Sequence, residues 1–381
     1  MKELFKDKKK LIIIASISVV SILILLICII LIMSIFKRFD YQELEKKLVD
    51  ATTSYIANHK ELLPKEGEII VSEETLVSEK LIKELNKISK DKTCKGKVKV
   101  VSENDAIRYI PELTCEKYHT TSLKDTILAR EEVLPEITNS EITDPIKQSG
   151  LYEHTQEEKK VLIYRGSKTI NNYIKFLDYN WRIFKMDDDK IYIILADTLN
   201  SKDLYQFDDR YNEEISSARG KNIFATSKIY QKLMDFYNKY FKDHHAYLKR
   251  MDACIHPRSQ VDARKDGYIE CTTTENTPIS LLPVYDYMNA SLDPNCNKTS
   301  SKESRSCSND NYLANTTNKW WLANGLYENS YEVYYVGTSG AIDSDYAISK
   351  KDLRVVIALP SDIIYKDGIG TSEKPFTFYE Y

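Results

Sequence analysis

The longest apolar stretch of the chain runs from Leu11 to Phe36 without a charged residue. A hydrocarbon core of about 30 Å takes about 20 apolar residues in helical form, so the stretch predicts a transmembrane helix over 11–36. Beyond it, Tyr41, Leu44, Leu48, Ala51, Tyr55 and Ile56 recur at spacings of three and four between Glu43, Glu45, Lys46 and Lys47. That period predicts an amphipathic stalk helix from Asp40 to Leu62, ended by Pro64 and Gly67. A short strand over Ile69 to Val71 follows. Ser72-Glu73-Glu74-Thr75 then opens a second helix, Leu76 to Ile88, with Leu76, Leu81, Ile82, Leu85 and Ile88 near one face. From Cys94 to Val101 lysines alternate with valines, the period of a half-buried strand. A turn at Glu103-Asn104-Asp105 returns the chain along Ile107 to Leu113, so a helix packed on a disulfide-closed hairpin is expected.

Between Thr120 and Lys160 the pattern turns polar and acidic, with Pro135 and Pro145 and little periodicity, which reads as a linker (121–150) or as a segment that packs in part. Short aromatic-rich runs then predict strands at Val161 to Arg165, Tyr173 to Phe176, Asn180 to Met186, Lys190 to Ala196, Tyr331 to Gly337 and Leu353 to Leu359. Thr226 to Tyr240 reads as a helix with Ile229, Leu233, Phe236, Tyr237 and Tyr240 on its stripe, and Leu281 to Ala290 as a shorter one. The expected class is α+β: a cytoplasmic tail (1–10), a transmembrane helix (11–36), a stalk and small α/β module (37–120), a linker (121–150) and a C-terminal α+β domain (151–381).

Charge sets the orientation. Lys2, Lys6, Lys8, Lys9 and Lys10 precede the span and only Lys37 and Arg38 follow it closely, so the positive-inside bias puts the N-terminus in the cytoplasm and residues from 39 onward outside. A cleaved signal peptide would have an apolar core of about 7 to 15 residues followed by a small-residue site. This run is longer and ends Met33-Ser34-Ile35-Phe36. A prepilin helix would follow a Gly-Phe cleavage point and carry an early glutamate, and both are missing. The whole chain has net charge −3, and the part outside the membrane is more acidic still, because the basic tail is left behind. No basic cluster is visible, which argues against nucleic acid as a partner.

The chain has seven cysteines. Cys28 lies inside the span, which leaves Cys94, Cys115, Cys254, Cys271, Cys296 and Cys307. An even number in an oxidising compartment reads as a disulfide framework. The simplest pairing is sequential, 94 with 115, 254 with 271 and 296 with 307. A metal site is the alternative, but no Cys-x-x-Cys or clustered histidines support one.

The run Asn171-Asn172-Tyr173, Phe176, Trp181-Arg182-Ile183 is followed in order by Ile191 to Leu195, the helix at Thr226, Ile279 to Ala290, Trp320-Trp321-Leu322 and Leu353 to Leu359. This order, over about residues 160 to 360, resembles a family of bacterial surface domains that look like C-type lectins and the related formylglycine-generating-enzyme fold. The membrane-proximal unit more loosely resembles modules that follow a membrane helix in surface proteins of low-GC Gram-positive bacteria. The resemblance implies a compact, irregular α+β domain with neighbouring termini and one long variable loop. Three features depart from it. The Glu-Pro-Asn or Gln-Pro-Asp motif and the Trp-Asn-Asp motif of calcium-dependent sugar binding are absent, the chain continuing Leu322-Ala323-Asn324-Gly325 after Trp321, and the reactive cysteines of the formylglycine enzyme lack counterparts. No cofactor is therefore expected, and calcium is without support.

The polar segment Ser291 to Lys319 occupies the place of the long loop, with a bridge from 296 to 307 stiffening its tip. Candidate ligand-binding residues are Asn309, Asp310, Asn311, Trp321 and Asn324. Trp181, Trp320 and Trp321 can stack on a sugar or build the core, and paired tryptophans more often build the core. Asp243-His244-His245 and Asp252 with His256 form the densest ionisable cluster but lack a metal-ligand or catalytic spacing, so no catalytic residue is expected. Asp187-Asp188-Asp189 reads as a hairpin turn and Asp208-Asp209 as a loop. The expected function is a single-pass, membrane-anchored cell-surface binding protein, an adhesin or receptor for a glycan or a protein. The alternative is a structural component of an envelope or pilus-like assembly.

Overall fold

The computed structural model describes residues 41–381 apart from 90–92, 104, 157–158, 168, 200–201, 216–218, 255–273, 297–306, 315 and 327, and in the N-terminal segment only Ile24 and Leu26. The expected tail and membrane helix thus lie outside the described residues. Among those described, no helix is long and apolar enough to cross a membrane. The described chain is α+β with strands predominating, and it divides into two compact units, one ending at Thr120 and also holding Tyr381, the other spanning Thr121–Glu380.

In the smaller unit, helix α1 (41–58) buries Leu44, Leu48, Ala51 and Ile56, the stripe its period predicts. Within that stripe lies Glu45, fully buried, whose carboxylate accepts the Tyr118 and Thr120 hydroxyls. A four-stranded antiparallel sheet faces α1: β1 (Gly67–Ser72), β2 (Lys95–Glu103), β3 (Ala106–Cys115) and β4 (Tyr118–His119), in that spatial order. Val98 and Val100 enter the core while Lys95 and Lys97 stay exposed, as alternation requires. Cys94 is bonded to Cys115 and closes this hairpin.

The single helix expected over Leu76 to Ile88 is instead two short ones, α2 (Glu73–Ser78) and α3 (Leu85–Ile88), and the chain reverses between them at Lys80, φ 59°. Leu76 and Leu85 are both fully buried in one core. Nine residues of continuous helix would put them on opposite faces, so the break is what lets both enter.

The larger unit begins with the residues read as a linker or as a partly packed segment; the linker reading is corrected, because the segment packs. Ser122 caps helix α4 (Leu123–Leu128) by accepting from the Asp125 N–H, and Leu123 and Ile127 are buried. Strand β5 (Val133–Leu134) pairs in parallel with β6 (Gly150–Gln156). The apolar positions Leu123 and Ile127 span barely one turn, too short to register as a period.

Strand β5 is one edge of a seven-stranded sheet. Its path continues through β6, β7 (Lys159–Arg165), β9 (Tyr179–Met186) and β10 (Lys190–Leu195) to β18 (Val356–Pro360), with β8 (Tyr173–Phe176) also paired to β9. Five of the predicted strands thus meet in this sheet, beside two that the pattern missed. Smaller pairs are β11 (Tyr205–Gln206) with β17 (Lys350–Lys351), β12 (Met251–Cys254) with β13 (Thr274–Thr277), and β19 (Tyr365–Asp367) with β20 (Thr377–Phe378). A three-stranded sheet holds β14 (Trp320–Gly325), β15 (Glu332–Val336) and β16 (Ile342–Tyr346). Helix α5 (Lys228–Tyr240) is capped by Ser227, and α6 (Val284–Asn289) follows Pro283. Trp181, Trp320 and Trp321 are fully buried, with Phe176, Phe207, Phe224 and Phe241 in the same core.

Candidate functional site

The two described ends of the long loop predicted to bind ligand, 291–296 and 307–311, are folded onto each other. Ser291 bridges Asn311, the Leu292 N–H donates to the Asp310 carbonyl at 3.1 Å, and Cys296 is bonded to Cys307. Asn311 is buried: its Nδ2 donates to the carbonyls of Tyr287 and Cys307, and its Oδ1 accepts the Leu313 N–H. Asn324 is fully buried, its Oδ1 accepting the Val284 N–H at 2.9 Å where α6 begins. Trp321 is likewise enclosed, donating its indole N–H to the Tyr205 carbonyl and meeting Phe207 edge-on. Asn309 stays exposed but gives its Nδ2 to Asp293. Asp310 is half-buried at φ 43°, and burial, with the Asp293 charge, pushes its carboxyl up. Trp321, Asn311 and Asn324 are buried and tied to backbone groups of the fold, so the five candidates form no common exposed surface.

The remaining sequence candidates stand apart. Cys271, His256 and the loop tip at 297–306 lie outside the described residues, and so does the expected 254–271 pairing. His244 contacts Glu380 at 2.6 Å through Nδ1. Asp187 turns the β9–β10 hairpin, its Oδ1 accepting from the Asp189 and Lys190 N–H groups, and Asp208 pairs with Arg210. Among the described residues, no group of three or more His, Cys, Asp or Glu is placed to hold a metal ion.

The concave surface with the most distinctive chemistry lies elsewhere in the larger unit. A groove of about 690 Å³ runs between the outer face of α5 and the β11–β17 pair. Helix α5 contributes Lys228, Lys232, Asp235, Phe236, Lys239 and Tyr240, whose spacings put them on one face. The opposite wall is Asp203, Leu204, Tyr205, Gln206 and Lys350, with Tyr179 at the start of β9 and Leu199 completing the lining. The helix sits this way because Ile229 and Leu233 are its fully buried residues. Phe236 and Tyr237, expected in its core stripe, are only half-buried, and Tyr240 is exposed.

Three rings form a cluster in the groove. Phe236 and Tyr240 have centroids 4.6 Å apart, and Tyr179 stands 6.0 Å from each, edge-on to Tyr240. The Lys239 ammonium lies 4.8 Å from the Tyr240 ring centroid. Its hydrogen bond to Tyr240 pulls that phenol below the ordinary tyrosine range, whereas burial pushes Tyr179 up. Lys228 pairs with Asp209 and Lys232 with Asp235. Lys239 and Lys350 have no carboxylate partner among the described residues. The surface offers ring faces bordered by positive charge that no carboxylate among the described residues neutralises, which suits a ligand with a planar apolar face and an acidic group. Its sequence signal was available in Lys228, Lys232, Phe236, Lys239 and Tyr240. It is masked because aromatic residues at helical spacing read first as core. Lys350 and Tyr179 come from distant segments that no local pattern joins.

Compared with known proteins, the chain matches no family model, no curated protein and no solved structure.

Proposed function

We propose that the chain is a single-pass, membrane-anchored cell-surface binding protein, held by residues 11–36 with its N-terminus in the cytoplasm, and that the groove on α5 takes an acidic glycan. The observation that carries this reading is the Tyr179, Phe236 and Tyr240 ring cluster bordered by Lys239 and Lys350, which have no carboxylate partner among the described residues. Ring faces stack on the C–H face of a sugar, and the ammonium groups meet its carboxylate or sulfate. Two disulfides favour an oxidising, extracellular setting. The lectin-like resemblance supports the same reading, with the site moved from the long loop to the helix. No calcium is needed, since lysines supply the positive charge.

The second reading, a structural part of an envelope or pilus-like assembly, is favoured by a depression of about 390 Å³ in the smaller unit, where Leu81, Ile82 and Ile88 lie only half-buried beside Lys47 and Lys83.

The test is a glycan array probed with the full chain in detergent, beside the variants Tyr240→Ala and Lys350→Ala. Acidic glycans are expected to bind saturably and more weakly at high salt, with each variant about ten-fold weaker. Equal binding of neutral glycans, or variants that bind like the parent, would remove the groove from the function.

A further inference from the structure

Strand β1 is the long edge of the four-stranded sheet in the smaller unit, whereas the opposite edge, β4, has only two residues. A short strand, a proline, a bulge or a covering element usually guards a sheet edge against pairing with another chain. The six residues of β1 pair with β2 without a register shift, and the run Gly67 to Ser72 contains no proline.

The register fixes which backbone groups of β1 face outward. Gly96 on β2 stands opposite Leu113 on β3. The Gly96 N–H goes to Glu73, while Leu113 donates to the Thr120 hydroxyl and accepts the Thr120 N–H, so the two make no bonds to each other. Antiparallel pairs alternate between bonded and unbonded. Val98, Val100 and Ser102 therefore turn their N–H and C=O groups toward β1, where they meet Val71, Ile69 and Gly67. Glu68 and Ile70 must then point theirs away from the sheet. Among the described residues nothing bonds to these outward groups, and both residues are exposed, Ile70 to 57%.

We propose that β1 is the contact through which two copies of this chain pair, antiparallel, about a two-fold axis between their Ile69 residues. In this register the strand complements itself. Glu68 of each copy faces Ile70 of the other, so the outward N–H and C=O groups of both residues exchange hydrogen bonds and none is left over. On the core side Ile69 meets Ile69 and Gly67 meets Val71, which extends the row that already packs Ile69 and Val71 with Val98 and Val100. On the other side Ile70 lies between Lys99 of its own β2 and Glu68 of the second copy, an apolar residue flanked by opposite charges. No like charges face each other across the new pair. The contact lies in the smaller unit and does not depend on the glycan reading of the α5 groove.

The experiment is sedimentation velocity of the full chain in detergent from about 1 μM to about 0.1 mM, beside Ile70→Pro. Proline there removes an N–H that the single copy does not use, at an edge that tolerates it. The parent should dimerise reversibly within this range, and the variant should need a concentration about ten-fold higher. A parent that stays monomeric overturns the proposal, and so does a variant that dimerises like the parent, since the contact then lies elsewhere, the apolar run at 11–36 included. Ile69→Cys decides independently of how the proline variant folds. Side chains come closest at an unbonded pair, so oxidation should link two copies at position 69, while Glu112→Cys on β3 should not link. A peptide map without a link between the two positions 69, or with equal linking in the β3 control, overturns the pairing.

Discussion

The Glu73 carboxylate accepts the backbone N–H of Leu85 at 2.6 Å through one oxygen and that of Gly96 at 3.2 Å through the other. One buried side chain thereby holds the start of α3 against the start of β2. This pair of bonds lets the segment after α2 reverse, so that Leu76 and Leu85 share one core.

Replacing Glu73 with alanine leaves two enclosed N–H groups unpaired, at a cost of about 2 to 4 kcal/mol to the smaller unit. Glu73→Gln keeps one acceptor and is expected to lose about half as much. Hydrogen exchange at Leu85 and Gly96 reads this directly, since the larger unit holds all three tryptophans and dominates fluorescence. Unchanged protection in Glu73→Ala would show that the carboxylate does not hold this corner.

Ser227 is fully buried, donating to the Phe224 carbonyl at 2.6 Å and accepting the Tyr230 N–H at the start of α5. Ser227→Ala should cost about 1 to 2 kcal/mol in urea unfolding of the full chain, as for other buried caps. Because the groove rides on α5, the variant should also bind glycan more weakly, whereas Ser227→Thr should keep most of the cap.

The two bridges close loops with sequence separations of 21 and 11, which the chain-entropy account values at about 3 kcal/mol each. Peptide mapping without reduction should recover the 94–115 and 296–307 pairs. Reduction should lower the unfolding midpoint, and a midpoint unmoved by reductant would mean that the unfolded chain gains no freedom from either opening.

Asp345 on β16 accepts from the Lys351 ammonium and the Ser349 hydroxyl. Burial pushes its carboxyl up, but these hydrogen bonds outweigh it and hold the pKa below the ordinary aspartate value. A depressed carboxylate contributes stability that is present above its unfolded pKa and is lost as pH falls through the folded one. The contribution should therefore be intact at pH 5 and fade below about pH 4. Asp345→Asn should flatten this part of the acid limb. A parent and variant with parallel acid limbs would count against the pair, which is partly open to solvent and screened accordingly.

How much was legible follows from the range of the interactions. The alternating lysines and valines of β2, the return strand β3, the stripe of α1 and the runs that became β7, β8, β9 and β10 all announce themselves within a few residues. Those residues alone decide which side chains face the core. The local bridges 94–115 and 296–307 were readable for the same reason. Helix α4 was missed because one turn carries no period, and the break at Lys80 because it answers to a buried carboxylate rather than to a glycine or proline.

The candidate site was less legible. Asn311 and Asn324 looked like ligand residues because amides in a polar loop are ambiguous, and only their partners, the backbone groups of Tyr287, Cys307, Leu313 and Val284, show them to be internal braces. The sequence by itself determined the apolar run at 11–36, the α+β class and most strands, since hydrophobic period and length act locally. Only the tertiary structure decided that the helix face of Phe236 and Tyr240 opens beside Lys350 instead of closing into the core, and that Arg182 and Arg354 are buried among phenols and carbonyls. Burial and charge compensation depend on what packs across the fold, and Lys350 beside α5, Tyr312 beside Arg182 and Leu195 beside Arg354 each lie more than a hundred residues away.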